Sequence, residues 1–408
     1  MSKQAGRLLA SERVSVPALL ELIPSELLER LAQELLVDKW VKKLKAEALF
    51  KLVLFSLFDS ERLSLRVMQA NTRDPFFRAL CPLLLADEVT WVGLRERLIR
   101  LDPAFCRALY ETIYEQAEAL YGEKALEGYH IKRYDSTMIA TFSHLLEGMR
   151  VGNTKQGKIQ VKLTTELTDD FLLQMHFHSD QAHLSEETAL KEAILQDRHS
   201  PDDIVVFDRG LKRRKSFAAF EDADIRFVGR LCAEPRYQWL HAHQVEEPEA
   251  DSEQAADLEL VQDSAVYLYE SGKTIIQKKL RLIQYRCLET GQILWFVTNI
   301  WDLPASLIAR VYRRRWDIEV LFRFMKQEMN LTHFVCNERN AIEVMLYFTM
   351  IAAMLVLIYK KRNGISSYKM AKIQFFKELT YSIVLDILES PEATEHFKLN
   401  VQKLIQRE

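Results

Sequence analysis

The 408 residues are 48% hydrophobic and 28% charged, with a net charge of −3. That composition describes a globular chain with a large core and room for about two to four domains. It excludes a polycation that holds nucleic acid by bulk charge, so any such contact must come from local basic clusters.

Up to about residue 125 the apolar spacing of three and four predicts helices over Ser25–Leu36, Leu44–Phe58 and Pro103–Tyr121. Thr90 starts a further short helix with Arg95, Arg97 and Arg100 on a polar face. That helix suits either entry into a DNA groove or the solvated side of a bundle. The five cysteines (Cys81, Cys106, Cys232, Cys287, Cys336) show no Cys-x-x-Cys spacing. This argues against a zinc ribbon or a disulfide framework and fits a reducing cytoplasm. The opening Met-Ser-Lys-Gln-Ala-Gly-Arg has no secretion-signal pattern.

From 126 to 233 the pattern becomes α/β. His130 to Tyr134 reads as a strand ending at Asp135, and Lys158 to Thr164 alternates strictly, with Lys158 and Lys162 on its polar face. Phe171 to His178 follows as a strand, then a helix capped by Ser185 with Glu186 and Glu187 in its first turn. Ile204-Val-Val-Phe is wholly apolar, as in strands buried on both faces, and ends at Asp208. A basic helix (Lys212-Arg-Arg-Lys) and a strand over Ile225–Arg230 come next. Residues 234–300 read as a β-rich block, with an acidic loop over Glu246–Glu259 and strands at Ala265–Glu270, Thr274–Gln277, Leu280–Arg286 and Ile293–Thr298.

Tyr312 to Lys326 reads as one helix within a 301–340 segment, and residues 341–408 as a helical C-terminal region. At ~100° per residue, Tyr312, Arg315, Glu319 and Lys326 fall within an arc of roughly 60°. Val311, Ile318, Leu321, Phe322 and Met325 form the apolar face beside them. An amphipathic helix with Arg–Glu pairs at i,i+4 spacing fits the same pattern, as does a carboxylate held beside an anionic polymer. The apolar run Val344–Tyr359, interrupted by Thr349, is short for a membrane span and reads as a buried core helix, so no membrane partner is expected. The pairs His176/His178 and His241/His243 have no partners at metal-ligand spacing and read as hydrogen-bonded histidines.

Two aspartates at strand ends and a helix glutamate form a hard-oxygen set suited to Mg²⁺ or Mn²⁺. Two such ions ~3.5–4 Å apart can drive in-line displacement at a phosphodiester. The run Tyr312-x2-Arg315-x3-Glu319-x6-Lys326 resembles the signature of DDE transposases of bacterial insertion sequences, in the branch called insertion-sequence family four. Asp135-Ser-Thr, Phe207-Asp208-Arg209-Gly210 and Arg315-Trp-Asp-Ile-Glu319 resemble its other motifs, in the same order. The resemblance covers about residues 131–340 and implies a ribonuclease-H-like core interrupted by a β-rich insertion, with helical N-terminal and C-terminal regions. It implies Asp135, Asp208 and Glu319 as catalytic ligands of two divalent ions, and Tyr312, Arg315 and Lys326 as phosphate-holding groups. Trp295 is similar to a family tryptophan that stacks on a flipped base, a contact of ~1–3 kcal/mol, and equally fits a sheet core. Arg209, Lys212, Arg213, Arg214, Arg313, Arg314, Arg323, Lys158 and Lys162 would add phosphate contacts. The implied partners are double-stranded DNA (terminal inverted repeats and target) and a second copy in a synaptic dimer, in a bacterial cytoplasm at the nucleoid. A metal-dependent nuclease without strand transfer, or a DNA-binding regulator descended from a transposase, fits the same residues. Retention of all three carboxylates favours the enzyme.

Overall fold

The apolar run Ile204-Val-Val-Phe lies at the middle of a large sheet, which explains why it carries no polar residue. In the computed structural model of the protein it belongs to β5 (Asp203–Phe207), flanked in parallel by β1 (His130–Ala140) and β6 (Phe227–Leu231). Val205 and Phe207 pack into one apolar cluster, while Ile204 and Val206 pack into another on the opposite face. Alternate side chains thus serve two cores, and both must be apolar. The structure describes residues 13–405 apart from 83–88, 123–127, 141–148, 152–157, 169–170, 179–180, 233, 244–256, 272–273 and 332.

Before the sheet come α1 (Val16–Leu20), α2 (Ser25–Glu34), α3 (Ala46–Asp59), α4 (Leu65–Asn71), α5 (Pro75–Leu80), α6 (Trp91–Arg100) and α7 (Pro103–Tyr121). Thr90 caps α6 through its side chain, as its position predicts. Next are β1, β2 (Met149–Val151), β3 (Lys158–Thr168), β4 (Phe171–His178), α8 (Glu186–Gln196), β5, α9 (Arg214–Asp222) and β6. The chain continues through β7 (Tyr237–Ala242), β8 (Leu258–Ser271), β9 (Thr274–Cys287) and β10 (Ile293–Thr298). It ends in α10 (Ala305–Arg313), α11 (Trp316–Glu328), α12 (Arg339–Arg362), α13 (Tyr368–Glu389) and α14 (Pro391–Ile405).

The strands order as β2-β3-β1-β5-β6-β10-β9-β8-β7, with β4 also on β3. The class is therefore mixed α/β, with one large sheet and helices around it. α8 and α9 cover one face through Leu190, Ile194, Phe217 and Phe220, and α10 covers the other through Ile308 and Val311. The N-terminal helices share a third cluster with α11, α12 and α13. Helix α12 is long and apolar enough to cross a membrane, yet 89% of its most apolar window is buried inside the protein.

Four readings change. Asp135 lies within β1 rather than past its end, because β3 continues to pair with it there (Asp135↔Thr165). Thr274 to Arg286 is one long strand rather than two, because β8 pairs along its length. The helix expected from Tyr312 to Lys326 breaks at Arg314–Arg315, leaving Tyr312 on α10 and Glu319 and Lys326 on α11. Its apolar face divides accordingly, with Val311 in the α10 cluster and Ile318, Leu321, Phe322 and Met325 in the helical one. Arg97 is only 7% exposed, because it donates to the Leu44 carbonyl at 2.9 Å and to Asp38 at 2.6 Å. Tied in this way it faces inward and closes the α2–α3 connection.

Candidate active site

The parallel pairing Tyr134↔Phe207 sets the next residue of each strand, Asp135 and Asp208, side by side. Here β5 ends while β1 runs on, which opens a notch at the sheet's edge, where open α/β sheets place ligand sites. Asp135 Oδ1 accepts from the Ser136 amide at 2.7 Å, and Asp208 Oδ1 accepts from the Gly210 amide at 2.5 Å. Burial pushes the Asp135 carboxyl up to about 7, helped by the charges of Asp208 and Glu186 and opposed by the Ser136 amide and Arg315. Negative charge is thus concentrated beyond what the protein itself neutralises.

Glu186, at the start of α8, is the third carboxylate here. A Cβ on Gly210 would lie 2.5 Å from its carboxyl carbon and 2.7 Å from Asp208 Oδ1, so any larger residue there would push the carboxylates aside. Its neighbour Glu187 is buried and accepts from the amides of Lys212 and Arg213 and, at 2.6 Å, from the Ser216 hydroxyl. The cap residue of α9, Arg213, makes no side-chain capping bond. Glu187 thereby pins the basic loop that follows Asp208, while Glu270 on β8 accepts from the first-turn Lys215 amide of α9 at 3.0 Å.

The break at Arg314–Arg315 turns one flank of α11 toward this notch. Arg315 Nη1 donates to Glu319 at 2.6 Å and the guanidinium lies 5.8 Å from the Tyr312 ring. Burial would lower the Arg315 pKa, but the Glu319 bond and the Tyr312 and Asp208 charges raise it. Burial raises Tyr312, against the pull of Arg315 and Arg230, and lowers Lys326 against the charge of Asp135. Arg230 on β6 joins the set. Burial lowers its pKa, its charge is felt alongside Tyr312, Arg209 and Arg315, and its buried Nε has no hydrogen-bond partner.

Asp135, Asp208, Tyr312, Arg315 and Lys326 therefore share one neighbourhood, with Glu319 on the facing flank but bound to Arg315. Among the described residues no three His, Cys, Asp or Glu side chains already form a metal-holding group. The donor chemistry fits a divalent ion nonetheless: hard oxygens, with one aspartate driven toward protonation by burial and then by the charges beside it. Trp295 is 7% exposed and lies in the cluster beneath α9, beside Tyr237 at 6.4 Å. It is a core aromatic here, not an exposed platform for a base. Lys212, Arg213 and Arg209 are exposed, Arg214 is half-buried against Phe217, and Arg323 is exposed over Trp316. Arg95 is drawn to Glu96 and Glu338. Lys158 and Lys162 lie on β3 with side chains outside the described residues, and most of the acidic loop lies outside them too. Of the paired histidines, His176 is hydrogen-bonded to Asp197 at 2.8 Å, His241 to the Ala242 carbonyl and His243 to the Trp301 carbonyl, both at 3.0 Å, while His178 stacks on His183 at 4.4 Å.

The protein-family model described as "Transposase DDE domain" matches residues 131–355, more than half the chain and all of this neighbourhood. The chain belongs to the DDE transposase family. Relatives include "Putative transposase y4zB" of Sinorhizobium fredii, 28% identical over 40% of this chain and 44% of that protein. "Probable transposase for insertion sequence element IS5377" of Geobacillus stearothermophilus is 29% identical over 24% of this chain and 26% of its own length. "Putative transposase for insertion sequence element IS4SA" of Synechocystis is 32% identical over 24% and 30%. The chain thus spans less than half the length of these relatives. A cryo-EM structure of the piggyBac transposase synaptic complex with hairpin DNA overlaps at a TM-score of 0.47 and 12% identity, covering 97% of this chain and 86% of that one.

Two residues of this neighbourhood escaped the sequence. Glu186 reads as a helix-dipole residue, and Arg230 as the end of a strand. Neither has a local signal, because what places them is strand order: β6 adjoins β5, and α8 leads into it.

Proposed function

We propose that this chain is a transposase that cuts DNA at an element's terminal inverted repeats and joins the freed ends to target DNA. The observation that carries the reading is the pairing of Asp135 with Asp208 at the end of β5, faced by the Arg315–Glu319–Lys326 flank of α11. The strand order supports a ribonuclease-H-like core: antiparallel β4, β3 and β1, then parallel β5 and β6. On that view β7 to β9, appended beyond β10, are the β-rich insertion. The relatives' names support the activity.

Asp135 and Asp208, with Glu319 as third donor, would hold two Mg²⁺ or Mn²⁺ ions. Bound there, such ions activate a water or 3′-hydroxyl and neutralise the leaving oxygen. The chain's own groups position the strand. Arg315 offers a planar fork and Lys326 a point charge to phosphate, and Arg230 holds an unpaired Nε toward the same space. Glu319 occupies Arg315 until a phosphate replaces it, so one exchange frees both for their roles. The loop Arg209–Arg213 adds sequence-independent contacts. A synaptic homodimer and a hairpin at the cut end complete the reading.

The test is incubation with Mg²⁺ or Mn²⁺ and linear DNA bearing the element's own ends. Wild type should give end-cleaved and joined products, and Asp208→Ala neither. Equal cleavage by Asp208→Ala would refute the assignment, and cleavage without joined product would make the chain a nuclease.

A further inference from the structure

Arg133 lies two residues before Asp135 on β1 and is 1% exposed, an unusual place for a guanidinium. Its Nη1 donates to Asp317 Oδ2 at 2.8 Å and its Nε to the Leu167 carbonyl at 3.2 Å. Asp317 lies two residues before Glu319 on α11, with its side chain 44% exposed. The bond therefore joins the strand that carries one proposed metal ligand to the helix that carries another.

Residues two apart on a strand share a face, so Arg133 and Asp135 both look toward α11, ~7 Å apart. Residues two apart on a helix lie about 200° apart, so Asp317 and Glu319 occupy opposite flanks. Between those flanks runs the buried stripe Ile318, Leu321, Phe322 and Met325. The helix thus straddles β1, with Asp317 over Arg133 on one side and the Glu319 flank toward the notch on the other. Apolar packing alone is tolerant of a small roll about the helix axis. A 2.8 Å bond from a buried guanidinium on the opposite flank is not, because a roll would stretch and misalign it.

We propose that Arg133 and Asp317 are a positioning pair, which holds α11 at the roll that presents Glu319 to Asp135 and Asp208. This rests on the proposed function. It requires that loss of the pair weaken the metal site, and with it the Lys326 contact carried on the same flank, while the chain stays folded.

The experiment compares wild type with Asp317→Ala and Asp317→Asn. Mn²⁺ binding is measured by calorimetry without DNA, end-DNA binding by anisotropy in EDTA, and cleavage against Mn²⁺ concentration. Asp317→Ala should raise the half-saturating Mn²⁺ concentration about 10–100-fold in both metal readouts, as loss of a ligand's supporting bond does. Asp317→Asn, which keeps an acceptor for Arg133, should recover part of that loss. End-DNA affinity in EDTA should fall in Asp317→Ala, because Lys326 shares the Glu319 flank and rolls with it, and should recover in part in Asp317→Asn. Unchanged Mn²⁺ affinity in Asp317→Ala overturns the proposal, as does an equal loss of folding by circular dichroism in both variants. A wild type that neither binds Mn²⁺ nor cuts end DNA fails the proposed function and this role with it. An active wild type with an unaffected variant fails this role alone.

Discussion

Replacing Asp135 with Asn should stabilise the metal-free protein, and by more at pH 8 than at pH 5. The folded-state carboxyl titrates near 7 instead of its ordinary 3.8, chiefly through burial and then through Asp208 and Glu186. Between those values the folded protein holds a proton that the unfolded chain has already released. Stability therefore falls as pH rises from about 4 to about 7 and is level beyond. A shift of roughly three units at 1.36 kcal/mol each sets a ceiling of about 4 kcal/mol, fully expressed at pH 8. Asn keeps the shape and an oxygen for the Ser136 amide but carries no charge, so it should recover much of that cost. The assay is urea denaturation in EDTA at pH 5, 6, 7 and 8. The wild-type–variant difference cancels titrations shared by both. It should grow with pH and shrink when Mg²⁺ is added, because the ion stabilises the carboxylate and not the amide. A difference that is flat in pH, or an Asn variant less stable than wild type at pH 8, would refute the reasoning.

Gly210→Ala puts a methyl 2.5 Å from the Glu186 carboxyl carbon and 2.7 Å from Asp208 Oδ1, so both carboxylates are pushed aside; cleavage should fall, by at most about 100-fold, in a timed end-DNA assay. Glu187→Ala removes the acceptor for two amides and a hydroxyl, which should cost about 1–3 kcal/mol in urea denaturation and weaken end-DNA binding by anisotropy. Arg281 is fully buried and bonded to Asp263, with further bonds to the carbonyls of Ile300 and Leu303. Asp263→Ala leaves that charge unpaired and should destabilise by about 3–5 kcal/mol, whereas Arg281→Met combined with Asp263→Leu should recover much of the loss on the same denaturation curve.

Local pattern was enough for most elements. Pro103–Tyr121, Phe171–His178 and Ile293–Thr298 match their expected bounds, because capping, alternation and turn residues are local physics. The aspartates and the Tyr-Arg-Glu-Lys residues were legible as residue types in a motif, although the single helix inferred from their spacing is two. The extent of β1 past Asp135 was not legible, since it depends on β3 pairing from ~30 residues away. Nor was the inward turn of Arg97, which follows from partners distant in sequence, and between the two readings of Trp295 only the packing of the sheet could choose the core.

By itself, then, the sequence determined the order of elements, the residue types of the site and the family they resemble, because propensity and periodicity act within a few residues. Tertiary structure decided who meets whom. It broke the expected helix at Arg314–Arg315, bound Glu319 to Arg315, brought Glu186 and Arg230 to the notch and tied Arg133 to Asp317. Those outcomes rest on strand order and helix roll, which are set by how all the apolar faces pack at once and are written in no single stretch of chain.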